Sequence, residues 1–523
     1  MFFSTSFHLF ETMDAATRLR LPVCSYRSKH FPHFQKLLPI FVFHTQASEV
    51  PYKQHERSRP FQRRHVHTQP RRHVSSATLP EIESTTQAPT FPSPEIPVSK
   101  SPLSCLPLST LVRSYLITAL SSVDILLRPS LATLSFLAHA KSPLFSADTN
   151  PLIRTALKKT LYAQFCAGET PAEIKGTVAQ LKQMGYAGVI LAYAKEVVLQ
   201  GKDAEAFDAA LDCSEQERCT REEIAAWTNG NMETVRLAEK GDFVALKFTG
   251  AGRQAMQSLL KGDICGPNLE EATHSICRLA RERGVRLLFD AEQNAVQAAI
   301  DRWTIHFMKE YNRAGKGGAL VYGTYQAYLK GTPAKLVKHM EEAKRDGWTL
   351  GVKLVRGAYL GSDPRRLMWE DIESTHRCYD GIAEALMRRR WNDVLKGEGE
   401  MPDADLVLAS HNRESVKQAQ TIRDEQAQKG EARIEMVYGQ LMGMADNVSC
   451  ELVQEAKERR ETERTGKEVD VPQPFKYLVW GTVGECSKYL LRRAQENRDA
   501  VTRTVDGRRA LGRELARRMG FVR

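Results

Sequence analysis

The feature of this sequence that most constrains its fold is a series of short segments rich in Val, Ile and Leu, separated by longer segments with helical periodicity. Eight such apolar segments occur, at 188–194, 243–248, 285–290, 319–325, 350–356, 405–410, 434–438 and 475–480. Strands that are apolar throughout and alternate with helices belong to a parallel sheet covered on both faces. Eight such units are the number that closes a barrel. We therefore predict an α/β fold, a (β/α)8 TIM-type barrel, with an open doubly wound sheet as the structural alternative.

Positive charge is concentrated at the start of the chain. Residues 1–80 contain twelve Lys and Arg against four Asp and Glu, whereas residues 81–523 carry a net charge of only +3. This distribution favours a removable basic leader over a basic nucleic-acid-binding face, and we expect no nucleic-acid partner. Residues 1–75 are rich in Arg, His, Ser and Phe and poor in acidic residues, which predicts a disordered mitochondrial transit peptide. A basic disordered tail without a targeting role is the alternative.

The rest of the chain divides by composition. Residues 76–108 are dense in Ser, Thr and Pro, which predicts an unfolded linker. We expect N-terminal helices at 109–180, the barrel at 181–500 and a basic C-terminal helix at 501–523. The charged segment 201–241 lengthens the first connection of the barrel, and we interpret it as helical. The ten cysteines form no C-x-x-C pair and no Cys/His cluster at metal-ligand spacing, so the sequence predicts no metal site.

Polar residues follow or end seven of the eight apolar segments. They are Lys247, Asp290, Glu292, Gln326, Tyr328, Lys353, Arg356, Tyr359, His411, Asn412, Gly439, Gln440 and Tyr477. In barrel enzymes the working side chains lie at the carboxyl ends of the strands. A single polar strand end is usually a capping or solvated group, but agreement among seven ends indicates a site, because burying so many ionisable groups without a use costs stability.

A helical motif follows the last apolar segment. Tyr489, Arg492, Arg493 and Glu496 have the spacing that puts them on one face of a helix. Two neighbouring guanidinium groups can clamp a carboxylate, and a glutamate three and four residues further on can hold one of them in place. The alternative is a salt-bridged surface helix. Its position directly after the eighth segment favours the carboxylate clamp.

No nucleotide-binding glycine motif occurs at the required place. Neither G-x-G-x-x-G after a strand nor G-x-x-x-x-G-K-[ST] is found, and the glycine-rich run at 315–318 precedes the fourth apolar segment instead of following a strand. A dinucleotide would therefore depend on cationic strand ends, for which Lys353 and Arg356 are available, and on helix N-termini.

Five stretches together resemble the proline dehydrogenase family. They are Val-Ala-Leu-Lys at 244–247, Phe-Asp-Ala-Glu-Gln at 289–293, Lys-Leu-Val-Arg-Gly-Ala-Tyr at 353–359, Ser-His-Asn at 410–412 and Tyr-Leu-Leu-Arg-Arg-Ala-Gln-Glu at 489–496. The resemblance covers roughly residues 180–500 and is to the mitochondrial, single-function type. It implies FAD-dependent oxidation of L-proline to 1-pyrroline-5-carboxylate, with hydride transfer to flavin N5 and ubiquinone as electron acceptor. It also implies a place on the matrix side of the inner mitochondrial membrane, with peripheral membrane contact.

The resemblance also implies roles for individual residues. Arg492, Arg493 and Lys247 would grip the carboxylate of proline, and Tyr359, Leu441, Tyr477 and Tyr489 would surround its ring. Glu496 would organise the arginines, and Asp290 would lie near the substrate in the catalytic ion-pair network. The expected FAD-binding residues are Gln326, Lys353, Arg356, Thr375, His411 and Asn412. Many bacterial relatives carry Arg where this chain has Lys353.

Two other functions stay open at this point. A hydroxyproline dehydrogenase would share nearly every motif, although the bulky ring of Tyr477 leaves little room for a ring hydroxyl. A barrel that binds flavin or an amino acid without catalysis is the alternative from a different class.

Overall fold

The computed structural model describes residues 101–140, 142–197, 213–313, 318–499 and 501–521, with the backbone alone at 124–126, 496–499 and 501–506. The predicted transit peptide and most of the predicted linker lie outside these residues.

Eight parallel strands form a closed barrel, in which each strand pairs with the next and the eighth returns to the first. The strands are β1 Gly188–Tyr193, β2 Phe243–Leu246, β3 Arg286–Phe289, β4 Val321–Gln326, β5 Leu350–Val355, β6 Ala404–Ala409, β7 Met436–Leu441 and β8 Pro474–Trp480. Each overlaps one of the eight predicted apolar segments. The (β/α)8 barrel is thereby confirmed.

Helices precede the barrel, surround it and follow it. They are α1 Leu108–Ser121, α2 Asp124–His139, α3 Pro151–Leu157, α4 Ala163–Phe165, α5 Pro171–Met184, α6 Cys213–Arg218, α7 Ala225–Leu237, α8 Arg253–Lys261, α9 Pro267–Arg283, α10 Asn294–Tyr311, α11 Thr332–Asp346, α12 Ile372–Arg388, α13 Arg413–Gln428, α14 Asp446–Glu463, α15 Val483–Asp499 and α16 Val501–Arg518. Among the described residues, no helix is both long enough and apolar enough to cross a bilayer.

Aromatic side chains fill the barrel interior at its amino end. The ring of Phe243 makes edge-to-face contacts with Tyr322 and Phe475, at centroid distances of 5.4 and 5.5 Å. The Arg286 guanidinium lies 3.8 Å from the centroid of the Phe243 ring and pairs with Glu435 at 2.5 Å. Because this end is packed with side chains, a ligand can enter only from the opposite, carboxyl end.

The end of the predicted linker is folded, which corrects the sequence analysis for residues 101–108. A 3-10 turn spans Pro102–Cys105, and α1 already begins at Leu108. Leu103 and Leu106 are buried in a cluster with Leu511 of α16. The Arg518 guanidinium donates to the backbone oxygens of Leu103 and Leu106, at 3.2 and 2.9 Å. The Pro- and Ser-rich composition did not reveal this turn. Two buried leucines are enough to hold the segment against a neighbouring helix.

Candidate active site

The carboxyl ends of the parallel strands bring the predicted polar residues to one mouth of the barrel. Lys247 follows β2 and Asp290 follows β3, while Gln326 ends β4. Tyr359 and His411 lie in the loops after β5 and β6. Tyr477 lies within β8, and its side chain reaches Asp290.

Asp290 links two other predicted site residues. Its carboxylate pairs with the Lys353 ammonium and accepts a hydrogen bond of 2.7 Å from the Tyr477 hydroxyl. The same ammonium lies 4.9 Å from the centroid of the Tyr477 ring. Asp290 and Lys353 are each only 6% exposed, so removing either would leave a buried charge without its partner. Burial, reinforced by Asp290, raises the pKa of Tyr477 well above its usual value, so this phenol stays protonated and donates.

A second cluster centres on Glu196, which follows β1. Its carboxylate pairs with Lys247 through one oxygen and with Arg492 through the other. Burial alone would raise the pKa of Glu196, but the two cations hold it at about 2. Burial would likewise lower the pKa of Lys247, yet the charge of Glu196 keeps it raised. All three groups are therefore charged at neutral pH, and the cluster carries one net positive charge.

Helix α15 turns its predicted motif toward the barrel. Arg493 is only 5% exposed, and its guanidinium lies 5.0 Å from the centroid of the Tyr489 ring. The Arg492 guanidinium lies 6.0 Å from the centroid of Tyr359. A solvated, salt-bridged surface helix does not fit this burial. The side chain of Glu496 lies outside the described part, and the carboxylate found on Arg492 is that of Glu196.

Arg356 is held at the ends of β5 and β6. Its guanidinium donates to His376 Nδ1 at 2.9 Å and to the hydroxyls of Ser410 and Ser415 at 2.9 and 2.8 Å. The side chain of Asn412 caps the N-terminus of α13 by accepting from the Ser415 backbone N–H at 3.1 Å. A cation beside a helix N-terminus provides the positive potential that a phosphate needs.

The remaining predicted FAD residues and Leu441 lie around the same strand ends. His411 Nε2 accepts a hydrogen bond of 3.1 Å from the backbone N–H of Leu441. Gln326 is buried, and its amide donates to the Glu292 backbone oxygen at 3.5 Å. Thr375 is buried in the first turn of α12, where its hydroxyl donates to the Asp371 backbone oxygen at 3.5 Å. The hydroxyl of Thr375 is thus engaged within its own helix.

Two acidic residues at the mouth received no role from the sequence. Glu196 follows the first apolar segment, the one strand end at which no polar residue was assigned, and its place two residues after that segment was the available signal. Glu292 was noted as a strand-end residue only. Its carboxyl group accepts from the backbone N–H of Thr249 at 3.1 Å and from the hydroxyl of the same residue. Burial raises the pKa of Glu292 to about 7, although Lys247 opposes the shift.

The part of the chain that forms the barrel matches a known protein family. Residues 174–506 match the family model described as "Proline dehydrogenase". The chain belongs to the proline dehydrogenase family. The matched region contains all eight strands of the barrel and the arginine pair of α15.

Individual proline dehydrogenase relatives differ in name and length. "Proline dehydrogenase 1, mitochondrial" from the worm Caenorhabditis elegans is 36% identical to this chain. The alignment covers 48% of this chain and 38% of the worm protein. "Hydroxyproline dehydrogenase" from mouse is 29% identical to this chain. The alignment covers 75% of this chain and 88% of the mouse protein. The chain thus spans well under half the length of the worm relative and most of the mouse relative.

A solved structure shares the fold. It is that of proline utilization A from Bdellovibrio bacteriovorus inactivated by N-propargylglycine, with a TM-score of 0.52 and 16% identity. The match covers 73% of this chain and 38% of the bacterial one. At this level of identity the likeness supports the fold alone.

Proposed function

We propose that this chain is an FAD-dependent proline dehydrogenase, an oxidoreductase that converts L-proline to 1-pyrroline-5-carboxylate in the first step of proline catabolism. The observation that carries the proposal is the cluster of Lys247, Glu196 and Arg492, with the buried guanidinium of Arg493 beside it on the same helix. Two of these cations already hold a carboxylate, so their spacing suits that group. The net positive charge of the cluster favours entry of the proline carboxylate.

The residues at the ends of β4 to β6 fit FAD. Arg356 and the capped N-terminus of α13 offer positive potential for the pyrophosphate, and Gln326 and Lys353 offer buried polar groups on β4 and β5. When bound, FAD supplies a hydride acceptor at N5 for the hydrogen that leaves the proline ring carbon next to nitrogen. We assign Gln326, Lys353, Arg356, Thr375, His411 and Asn412 to FAD binding.

The protein contributes position and exclusion of water. Lys247, Arg492 and Arg493 would fix the substrate by its carboxylate, and Tyr359, Leu441, Tyr477 and Tyr489 would confine its ring. The hydrogen bond from Tyr477 to Asp290 fixes the orientation of the Tyr477 ring. Holding the reacting carbon in a single orientation supplies much of the acceleration of such a transfer. Asp290 and Lys353 form a buried ion pair, which keeps a fixed charge distribution at the carboxyl ends of β3 and β5.

We further propose that electrons pass on to ubiquinone and that the protein lies in the mitochondrion, on the matrix side of the inner membrane. Relatives from worm, human and fission yeast carry the word mitochondrial in their names, which supports the compartment. The basic helix α16 is compatible with peripheral contact with that membrane. The basic, acid-poor composition of residues 1–75 is compatible with a transit peptide.

Hydroxyproline oxidation is the second candidate. Relatives named hydroxyproline dehydrogenase in mouse and cattle align with 75% and 69% of this chain. Against this, Tyr477 is a large buried side chain whose hydroxyl is fixed on Asp290, which leaves little space for a hydroxyl on the substrate ring.

Turnover of L-proline and of trans-4-hydroxy-L-proline by one preparation tests this choice. We expect kcat/KM to favour proline by about tenfold or more, a difference of roughly 1.4 kcal/mol in transition-state binding. Tyr477→Ser should narrow that ratio, because it removes the ring from the substrate wall. A preference of the unaltered enzyme for hydroxyproline would reverse the assignment.

A further inference from the structure

Away from the barrel mouth, two imidazoles and a carboxylate meet on the outer side of the barrel, between α9 and α10. Glu270 and His274 belong to α9, and His306 belongs to α10. One potential ligand atom of each lies within 4.8 Å of the others. Glu270 Oε1 is 2.8 Å from His306 Nε2 and 4.0 Å from His274 Nε2. The carboxylate oxygen is therefore shared by both rings.

Helical spacing and packing hold these rings in place. Glu270 and His274 are four residues apart, so they lie one turn apart on the same face of α9. The buried ring of Phe307 contacts both imidazoles, at centroid distances of 5.1 Å to His274 and 5.2 Å to His306. These contacts restrict the orientation of both rings.

The far side of His274 fixes which nitrogen faces the cluster. Its Nδ1 lies 3.0 Å from the Tyr311 hydroxyl, and that hydroxyl donates to the His274 backbone oxygen at 3.4 Å. This contact holds the ring so that Nε2 is the nitrogen that faces Glu270, and Nε2 is available to a metal in the neutral tautomer that carries its proton on Nδ1. A histidine that binds a metal commonly has its other nitrogen held in this manner.

We propose that Glu270, His274 and His306 form a binding site for a divalent transition metal of the zinc class. A tetrahedral zinc ion with bonds of about 2.0 to 2.1 Å separates its ligand atoms by roughly 3.3 Å. The two separations of 2.8 and 4.0 Å lie on either side of that value. Two neutral imidazoles and one carboxylate suit zinc, whereas magnesium and calcium prefer oxygen ligands.

The site is open to solvent on one side. The side chains of His306 and Glu270 are 51% and 35% exposed, so an ion can enter and water can complete its coordination. Helices α9 and α10 flank β3, the strand that ends just before Asp290. A metal bound to both helices would tie them together across this strand. It should stabilise the fold and leave proline turnover unchanged.

Zinc binding by the full-length flavoprotein without a polyhistidine tag tests the proposal. The protein is treated with chelator, desalted and titrated with Zn²⁺ in a calorimeter, in a Cys213→Ser background because this thiol is exposed. Mg²⁺ serves as the comparison ion. Residues 1–75 contain eight histidines that can bind zinc separately. We therefore expect one zinc equivalent that depends on the cluster, and this equivalent should raise Tm by about 2 to 4 °C at a free concentration about 100 times Kd. Magnesium should have no such effect.

Variants assign the site. His306→Ala and Glu270→Gln should each weaken zinc binding at least tenfold and abolish the Tm shift, while kcat and KM for proline stay within twofold. His139→Ala removes an exposed histidine outside the cluster and should bind zinc like the parent protein. Unchanged zinc affinity in both cluster variants, or the absence of a zinc equivalent in the parent protein, would overturn the proposal.

Discussion

At the scale of single residues, the mouth of the barrel is organised by charges that are buried in pairs. Asp290 holds Lys353, and Glu196 holds Lys247 and Arg492. Each carboxylate fixes the direction of a cation that the sequence had assigned to substrate or cofactor. A buried pair of this kind is weak evidence for stability, because desolvation offsets its attraction, so its value lies in orientation.

Replacing Arg493 by Met tests the substrate clamp. The variant keeps length and helix propensity but loses the guanidinium fork, so folding and flavin content should persist. We expect a loss on the order of 2 to 4 kcal/mol of transition-state binding, or roughly thirty-fold to several hundred-fold in kcat/KM for proline. Prolinamide lacks the carboxylate, so the substitution should lower kcat/KM for prolinamide far less than kcat/KM for proline in the same assay.

Arg513→Met is the matched control, since Arg513 is an exposed arginine of α16. It should leave kcat/KM for proline unchanged. If Arg493→Met instead lost flavin or melted much earlier with unaltered kcat/KM per bound flavin, Arg493 would be a structural residue.

Glu292 gives the fold a stability that depends on pH. Its pKa is about 7 in the folded protein and near 4.5 when unfolded, so the folded state binds the extra proton. The resulting stability is fully present below about pH 4.5 and is lost as pH rises through 7, by roughly 3 to 3.5 kcal/mol in all. Glu292→Gln imitates the protonated form. The variant should therefore gain unfolding free energy relative to the parent between pH 5 and pH 8.

Urea unfolding at the two pH values measures this difference. The stability that Glu196 contributes is lost only as pH falls below about 4.5 toward 2, so it does not affect the comparison. Glu271→Gln, an exposed substitution, should follow the parent at both pH values. Parallel profiles for parent and Glu292→Gln would show that Glu292 is not protonated at pH 5 to 7.

At the scale of elements, the strands were predictable and their ends were not. An apolar segment at 434–438 indicated β7, but the strand extends to Leu441. Gly439 and Leu441 pair with Phe475 and Tyr477 of β8, and these backbone hydrogen bonds do not depend on apolar side chains. A hydrophobicity pattern therefore predicts the buried part of a strand. It misses residues that belong to the strand only through backbone hydrogen bonds to the neighbouring strand.

The first described residues should contribute to stability through α16. Leu103 is 2% exposed against that helix, whereas Leu108 is 54% exposed. Leu103→Ala should lower the free energy of unfolding by about 2 to 4 kcal/mol, and Leu108→Ala, the matched control, by less than about 0.5 kcal/mol. Equal effects in thermal or urea unfolding would mean that the turn at 102–105 is not packed as described.

A chain that begins at Ser101 should keep flavin and activity, because residues 1–100 are expected to be dispensable. A chain that begins at Ser109 should melt several degrees earlier, since it lacks both buried leucines of the turn. Equal Tm values for the two shortened chains would contradict this role.

At the scale of the whole molecule, the sequence predicted the barrel and the mouth at which polar residues collect. Parallel strands point the same way, so strand-end residues had to converge. Which of them touch was not predictable, because the contacts of Glu196 with Lys247 and Arg492 join residues far apart in sequence. The cluster of Glu270, His274 and His306 escaped notice for the same reason: its third member lies on another helix.

The central claim is that this barrel oxidises proline with a bound flavin, and anaerobic mixing of the purified protein with L-proline tests it most directly. We expect a yellow protein whose flavin absorbance is bleached by L-proline, with 1-pyrroline-5-carboxylate formed in an amount equal to the flavin reduced. We also expect slower or weaker bleaching by trans-4-hydroxy-L-proline. If the protein bound flavin but its absorbance stayed unchanged in saturating L-proline, it would not be a proline dehydrogenase.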